Sequence, residues 1–361
     1  MAERVLVTKI GNIGDVLMVT PMIRKIKNVI PGVVIDVLTI TGSMFVLNGN
    51  PYVNEICEYR KFHKIEKWFR RPILARSLAG RPYTRCFMLD TNKEHRSFVV
   101  GIAGKSSRKY GFLGHVFDEV LYDGIKKDTG RHLIENNLRL VEKALGCGIT
   151  EEDHKMDLFV PEEVRSRLSG ILGAYDTQPG EYFIIHPGCT EFLPYRGWAH
   201  DRYVSVIDHL TSVGRKVVIT GRENERDEID KMVKMCLRRE MVGKAVGRPI
   251  FEVIAMIGSS CGVLCADTGV AHFARALGVP LTVLFGPSNP LFTGPIGPGV
   301  YNMIRKGHDC GPCHDNEGFD EDMRRLCSGK NPVPCMDSIS VEEVISSVDG
   351  LLTAFTPKKE A

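Results

Sequence analysis

No stretch of this 361-residue chain approaches the uninterrupted apolar length that a membrane-spanning helix needs. No secretory leader is visible either, because Arg4-Val5-Leu6-Val7-Thr8 starts directly as a strand. The expectation is a cytoplasmic protein, with room for peripheral contact on a membrane surface. Short repeats and low-complexity runs are also missing. With 43% hydrophobic and 25% charged residues the chain has the composition of an ordered globular protein. The first strand-turn-helix lacks the GxGxxG spacing, which leaves a nicotinamide-cofactor enzyme poorly supported.

What is present is two domains' worth of alternating strand and helix. Residues 4–9 read as a strand, followed by a glycine-containing turn and a helix to about Val29 that Pro31-Gly32 ends. Val33–Ile40 and Arg85–Asp90 read as strands, and Gly130–Gly146 holds a capped amphipathic helix. The polar stretch Gly173–Glu181 is the best linker, after which the alternation restarts. Strands are expected at 182–186, 216–220, 262–266 and 281–285, with helices at 201–213, 225–237, 251–257, 270–277 and 341–355. The expected architecture is α/β, two Rossmann-like domains across a cleft, spanning residues 1–172 and 182–340, with a helix and tail at 341–361.

The formal net charge of +3 selects no partner, but its distribution is uneven. From Arg60 to Lys109 there are fourteen Lys/Arg against three acids, so the rest of the chain is acidic. A plain solvated face explains such a segment; an acidic ligand, an anionic membrane or nucleic acid would also suit it. It carries no recognisable nucleic-acid motif, so no nucleic-acid partner is expected.

Chemistry is signalled at strand ends. The first turn reads Gly11-Asn12-Ile13-Gly14-Asp15, where Asp15 caps the following helix on the plainer reading and acts as a general base on the other. In the second half, His186-Pro187-Gly188 ends a strand and leads through Thr190 to Arg196-Gly197-Trp198. Asp267-Thr268-Gly269 ends another strand where a helix begins at once, a ready phosphate site with His272 one turn in. A core histidine is the plainer reading of His272. Phe285-Gly286-Pro287-Ser288-Asn289-Pro290 ends a third strand, and the three loops together point to a nucleotide site.

These blocks, in order with TGRENERDE and ALGVPLTVLFGPSNP, resemble glycosyltransferase family 9, the heptosyltransferases, collinearly from Val5 to about Val344. The resemblance implies a GT-B fold and inverting transfer from ADP-heptose to an acidic lipopolysaccharide-type acceptor on the inner face of the inner membrane. It implies Asp15 as base in an acceptor-side loop with Gly11, Asn12 and Gly14. Donor-site residues would be Thr190, Arg196, Glu225 (Glu223 being its rival), Asp267, Thr268, Gly269 and His272. Arg196 stands where the family has lysine, which keeps the charge and changes the geometry. No DxD pair lies near the donor loops, so no catalytic metal is expected.

Four of the eleven cysteines, Cys310, Cys313, Cys327 and Cys335, lie in the segment 308–336 at spacings suited to a closed thiolate site. Structural zinc or iron is the expectation there, with four reduced thiols as the plainer reading. Relatives that glycosylate autotransporter proteins carry a similar iron site, which opens a protein-acceptor reading. Within the family another nucleotide sugar or glycan acceptor is the alternative, and outside it a non-catalytic nucleotide-binding homologue.

Overall fold

The computed structural model describes residues 3–60, 74–78, 80–90, 107–114, 118–188, 196–307 and 333–354. The chain divides into two compact units, Met1–Phe159 and Val160–Ala361. Each is built on a six-stranded parallel sheet. The first contains β1 Arg4–Lys9, β2 Val34–Ile40, β3 Glu55–Tyr59, β4 Arg85–Met88, β5 Arg108–Leu113 and β6 Asp123–Lys126, in the order β3-β2-β1-β4-β5-β6. The second contains β7 Tyr182–His186, β8 Lys216–Gly221, β9 Val242–Val246, β10 Gly262–Ala266, β11 Leu281–Phe285 and β12 Tyr301–Arg305, in the order β12-β11-β10-β7-β8-β9. Counted within its own unit, each sheet runs 3-2-1-4-5-6, the doubly wound Rossmann order. The expected α/β architecture is therefore the one observed.

Central strands form because their residues are apolar on both faces. GVLCA of β10 and LTVLF of β11 are buried at every position, as a parallel sheet covered on both sides requires. The helix expected up to Val29 is two helices, α1 Ile13–Leu17 and α2 Thr20–Val29. Pro21 has no N–H to give the Leu17 carbonyl, which instead accepts the Thr20 hydroxyl at 2.8 Å. Further along, α3 Leu133–Leu145 packs on α2; the His132 ring accepts the Ile134 amide at its start, and Gly146 ends it in the left-handed conformation.

The first unit ends where Arg24 of α2 holds the outgoing chain. Its Nη1 donates to Asp157 at 2.5 Å and its Nη2 to the Lys155 carbonyl at 2.7 Å. The units meet in sequence at Phe159–Val160, ahead of the polar Gly173–Glu181 stretch. The helical turns Glu162–Arg165 and Leu168–Gly173 pack on a helix of the second unit, residues Ile250–Ser259. That unit's helices are α4 His200–Ser212, α5 Arg226–Met235, α6 Ile250–Ser259, α7 Gly269–Leu277 and α8 Val341–Ala354. The last of them buries Val344, Val348 and Leu351 in the same core as β7, β8 and α4. Among the described residues no helix is long and apolar enough to cross a membrane.

Below the first sheet's chemistry lies a structural charge. Asp36 of β2 is fully buried. It accepts bonds from Arg4 Nε (2.8 Å), Arg81 Nη1 (3.1 Å), Asn54 Nδ2 (3.0 Å) and the Tyr83 hydroxyl (2.9 Å). Burial alone pushes its carboxyl up; the bonds from Asn54, Arg4 and Tyr83, with the Arg4 charge, outweigh it and leave Asp36 below the ordinary carboxylate range. Its stabilising effect is thus complete above the unfolded value of about 3.9 and is lost as pH falls through the lower folded value. Asp36→Ala is expected to cost about 3–5 kcal/mol in urea unfolding at neutral pH by stripping a buried cluster of its anion. Asp36→Asn should flatten the acid limb of the stability profile; an unchanged limb in that variant would place the acid sensitivity elsewhere.

Candidate active site

In a sheet of this order the loops after the first and fourth strands leave in opposite directions, and the gap between them is where ligands bind. In the first unit that point lies between β1 and β4. The Ile10 amide, just past β1, donates to Asp90 Oδ1, just past β4, at 2.9 Å. Asn12 is the N-cap of α1, and its amide donates to Asp15 Oδ2 at 3.0 Å in a capping box. The plainer reading of Asp15 therefore holds as a structural fact. One carboxylate oxygen closes the turn, and the residue itself is only partly buried at the loop edge. Gly11 is required for this arrangement: a Cβ there would stand 2.8 Å from Asp15 Cβ and 2.9 Å from Oδ2. The Ser43 hydroxyl fixes the Gly11 carbonyl from the other side at 2.9 Å.

The equivalent point of the second unit lies between β7 and β10. At the end of β7, His186 Nδ1 is 3.0 Å from both the carbonyl and the hydroxyl of Thr220 at the end of β8. Burial lowers the His186 pKa, against the opposing effects of the Glu225 charge and the Thr220 bond, so its ring is neutral at physiological pH. The ring lies under the turn that follows. Gly188 has φ +27°, and a Cβ on it would come within 2.6 Å of His186 Nε2. Thr190 lies outside the described residues.

The chain is described again from Arg196, and Trp198 explains its placement. The indole is buried in the core, donates to the Ile339 carbonyl at 3.1 Å and meets the Tyr203 ring edge-on at 5.0 Å. Two residues away, Arg196 Nη1 donates to the Asp267 carbonyl at 3.2 Å and forms an ion pair with Asp267 Oδ2 at 2.9 Å. The side chains of this pair are 14% and 7% exposed, so it is largely withdrawn from water. Asp267 is itself fixed by its amide, which donates to the Leu284 carbonyl of β11 at 3.1 Å.

Thr268 is the N-cap of α7 and Gly269 its first residue, but the Thr268 side chain makes no capping bond. Thr268 Oγ1 and Arg196 Nε are both buried with no partner among the described residues. His272, one turn into α7, is partly buried. The structure thus brings Arg196, Asp267, Thr268, Gly269 and His272 to one sheet edge, where a helix N-terminus and a guanidinium favour an anion. On the far side of β7, Glu225 Oε2 accepts the Arg222 amide at 2.7 Å, and its charge acts on His186. Glu223 is instead gripped by Arg226 through two bonds of 2.6 Å.

Of the four expected metal ligands, Cys310, Cys313 and Cys327 lie outside the described residues. Cys335, on the turn Pro334–Asp337, packs partly buried against the second unit's core. Most of the basic segment from Arg60 to Lys109 is likewise outside. Sequence reasoning passed over His186 and Asp90 as supports of the two loops. It also gave no weight to Ser288, whose hydroxyl is buried with no partner among the described residues. Single polar residues at strand ends carry no periodic signal.

Comparison with known proteins agrees with this geometry. The family model described as Glycosyltransferase family 9 (heptosyltransferase) matches residues 72–322. Lipopolysaccharide heptosyltransferase 2 of Salmonella typhimurium is 24% identical over 318 residues, covering 82% of this chain and 88% of that protein. The crystal structure of a family 9 glycosyl transferase from Veillonella parvula superposes with a TM-score of 0.82 at 19% identity, covering 98% of each chain. The E. coli ADP-heptose lps heptosyltransferase II superposes at 0.75 with 21% identity, covering 97% of this chain and 99% of that one. The likeness shows the GT-B fold. The chain belongs to glycosyltransferase family 9, the heptosyltransferase family, and is a glycosyltransferase.

Proposed function

We propose that the protein transfers heptose from ADP-heptose to an acidic lipopolysaccharide core acceptor with inversion at the anomeric carbon. The observation that carries the donor half is a pair of buried donors beside the start of α7 with no partner among the described residues: Arg196 Nε and the Thr268 hydroxyl. Buried donors without partners are costly, by about 1–3 kcal/mol each, and a diphosphate would satisfy them. In this reading the first unit binds the acceptor and the second the nucleotide sugar. Asp15 takes the proton from the acceptor hydroxyl as that oxygen attacks the anomeric carbon. The bond to the diphosphate breaks, and the charge it gathers is met by Arg196, the amides at Gly269 and beyond, and His272. Glu225 serves the nucleoside side and Thr190 the phosphates, with Gly11, Asn12 and Gly14 shaping the acceptor loop. No metal is assigned a step, and the expected membrane contact is peripheral, through the basic segment of the first unit.

Calorimetric titration with ADP-heptose, ADP and UDP-N-acetylglucosamine tests the donor directly, without added metal. Saturable binding of the adenine compounds over the uridine donor is the expected result; the reverse preference would keep a transferase and discard heptose. Asp15→Ala should leave ADP affinity within about twofold and lower turnover by about 10²–10⁴. Gly11→Ala should do the same more weakly, because the new methyl displaces the Asp15 carboxylate. Near-wild-type turnover in Asp15→Ala would remove the base role and leave the cap alone.

For the segment 308–336 we propose a structural zinc or iron held by Cys310, Cys313, Cys327 and Cys335. Four thiolates are the donor set of a closed tetrahedral site, and such a site organises the chain around it. Elemental analysis of the purified protein should give about one ion per chain. A folded, metal-free preparation with an unchanged melting profile would reject the site.

A further inference from the structure

We propose that Ser288 is a further ligand-binding residue of the donor site, its hydroxyl kept for a phosphate oxygen of the leaving nucleoside diphosphate. This rests on the donor reading above. Ser288 lies in the loop after β11, the strand next to β10. The two strand ends are bonded, since the Asp267 amide donates to the Leu284 carbonyl, so this loop borders the start of α7. The residue is 1% exposed, and its Oγ has no hydrogen-bond partner among the described residues.

A serine with no structural bond is expected to become alanine unless the hydroxyl serves something else, because a buried unmade bond only destabilises the empty protein. Its neighbour shows the contrast. Asn289 spends its side-chain oxygen on the Leu291 amide at 3.1 Å, capping the turn Pro290–Thr293. Ser288 has no such task. Two other polar atoms at the same sheet edge share its condition, Arg196 Nε and Thr268 Oγ1.

Asp267 gives the set its geometry. By holding Arg196 Nη1 through a hydrogen bond to its carbonyl and an ion pair with Oδ2, it turns the guanidinium into a fixed fork with one arm spent and the Nε edge unspent. A guanidinium N–H edge and two hydroxyls, beside a helix start of nine residues, make a donor-rich site for an oxyanion. Asp267 is a positioning residue in this arrangement.

The test is Ser288→Ala, read by thermal melting of the ligand-free protein and by calorimetric titration with ADP. A hydroxyl held for a ligand gives opposite signs in the two measurements. The melting temperature of the empty protein should rise by about 2–4 °C as the unsatisfied group is removed. The ADP dissociation constant should rise about tenfold, as for loss of one bond to a charged oxygen. Arg196→Lys, which keeps the charge and loses the Nε edge, should weaken ADP binding comparably. An ADP affinity unchanged in Ser288→Ala, with the wild type binding ADP, overturns this role and leaves the donor reading intact. Failure of the wild type to bind ADP overturns the donor reading, and this assignment with it.

Discussion

A parallel sheet wound outward from its first strand in both directions leaves one place where neighbouring loops part, and the chemistry of this protein is organised by that constraint. Both units have it. In each, the first strand ends in a glycine-containing loop and the fourth in a loop that carries an aspartate: Asp90 in the first unit, Asp267 in the second. The two aspartates are used differently. Asp90 accepts the Ile10 amide across the gap and so fixes the loop that bears Asp15. Asp267 reaches Arg196 instead, and so fixes a cation. One architecture thus yields a carboxylate-bearing edge and a cation-bearing edge, the pair of functions a sugar transfer from a diphosphate needs.

The place of a buried charge in the fold, together with its partners, separates structure from function. Asp36 receives bonds from two arginines, an asparagine and a tyrosine, all of its own unit, and is fully buried. Arg275, buried near the end of α7, gives one nitrogen to the carbonyls of Ile296, Gly297 and Pro298 and lies over the Tyr301 ring at 4.5 Å. Burial lowers its pKa, and the only opposing effect comes from Tyr301. Its bonds close a loop at the end of the sheet away from the site. Arg275 Nε and Nη1 are buried with no partner among the described residues, and so is Arg196 Nε; Arg196 differs in its place, at the sheet edge where its Nη1 lies on Asp267. Close packing makes such an omission costly, so its coincidence with Thr268 and Ser288 at one edge is evidence of a ligand.

Most central strands and most helices were legible in the sequence because apolar runs and amphipathic spacing report burial; the interior strand β5 (RKYGFL), which opens on two charges, was not. Nor were the edge strands. Glu55–Tyr59 (EICEY), Asp123–Lys126 (DGIK), Val242–Val246 (VGKAV) and Tyr301–Arg305 (YNMIR) are short and face water on one side, so their polarity hides them. The break between α1 and α2 was missed for a local reason, a carbonyl that Pro21 cannot serve. The loops of the site were legible as motifs, and Asp15, Arg196 and Asp267 stood out within them. The supports were not: His186 under Gly188, and Trp198 anchoring Arg196 through Ile339, join residues 2 and 141 positions apart. Contacts of that kind exist only after folding.

The arginine at position 196, where the sequence resemblance expects lysine, gains a reason from the geometry. A lysine ammonium offers one point of charge, and in contact with Asp267 that point would be largely neutralised before any phosphate arrived. A guanidinium spreads its charge over a rigid plane with separate N–H edges. It can be held by a carboxylate on one edge and still present another, so the anchoring that removes freedom does not remove function. The same logic applies to Asp15, whose cap uses one oxygen of a carboxylate that has two. In both units the side chain assigned to chemistry is first immobilised by a bond that a smaller group could not share. On the role proposed for Asp15, capping and catalysis are successive uses of one geometry: the turn that needs Gly11 to admit the Asp15 carboxylate is also the turn that fixes where its second oxygen lies.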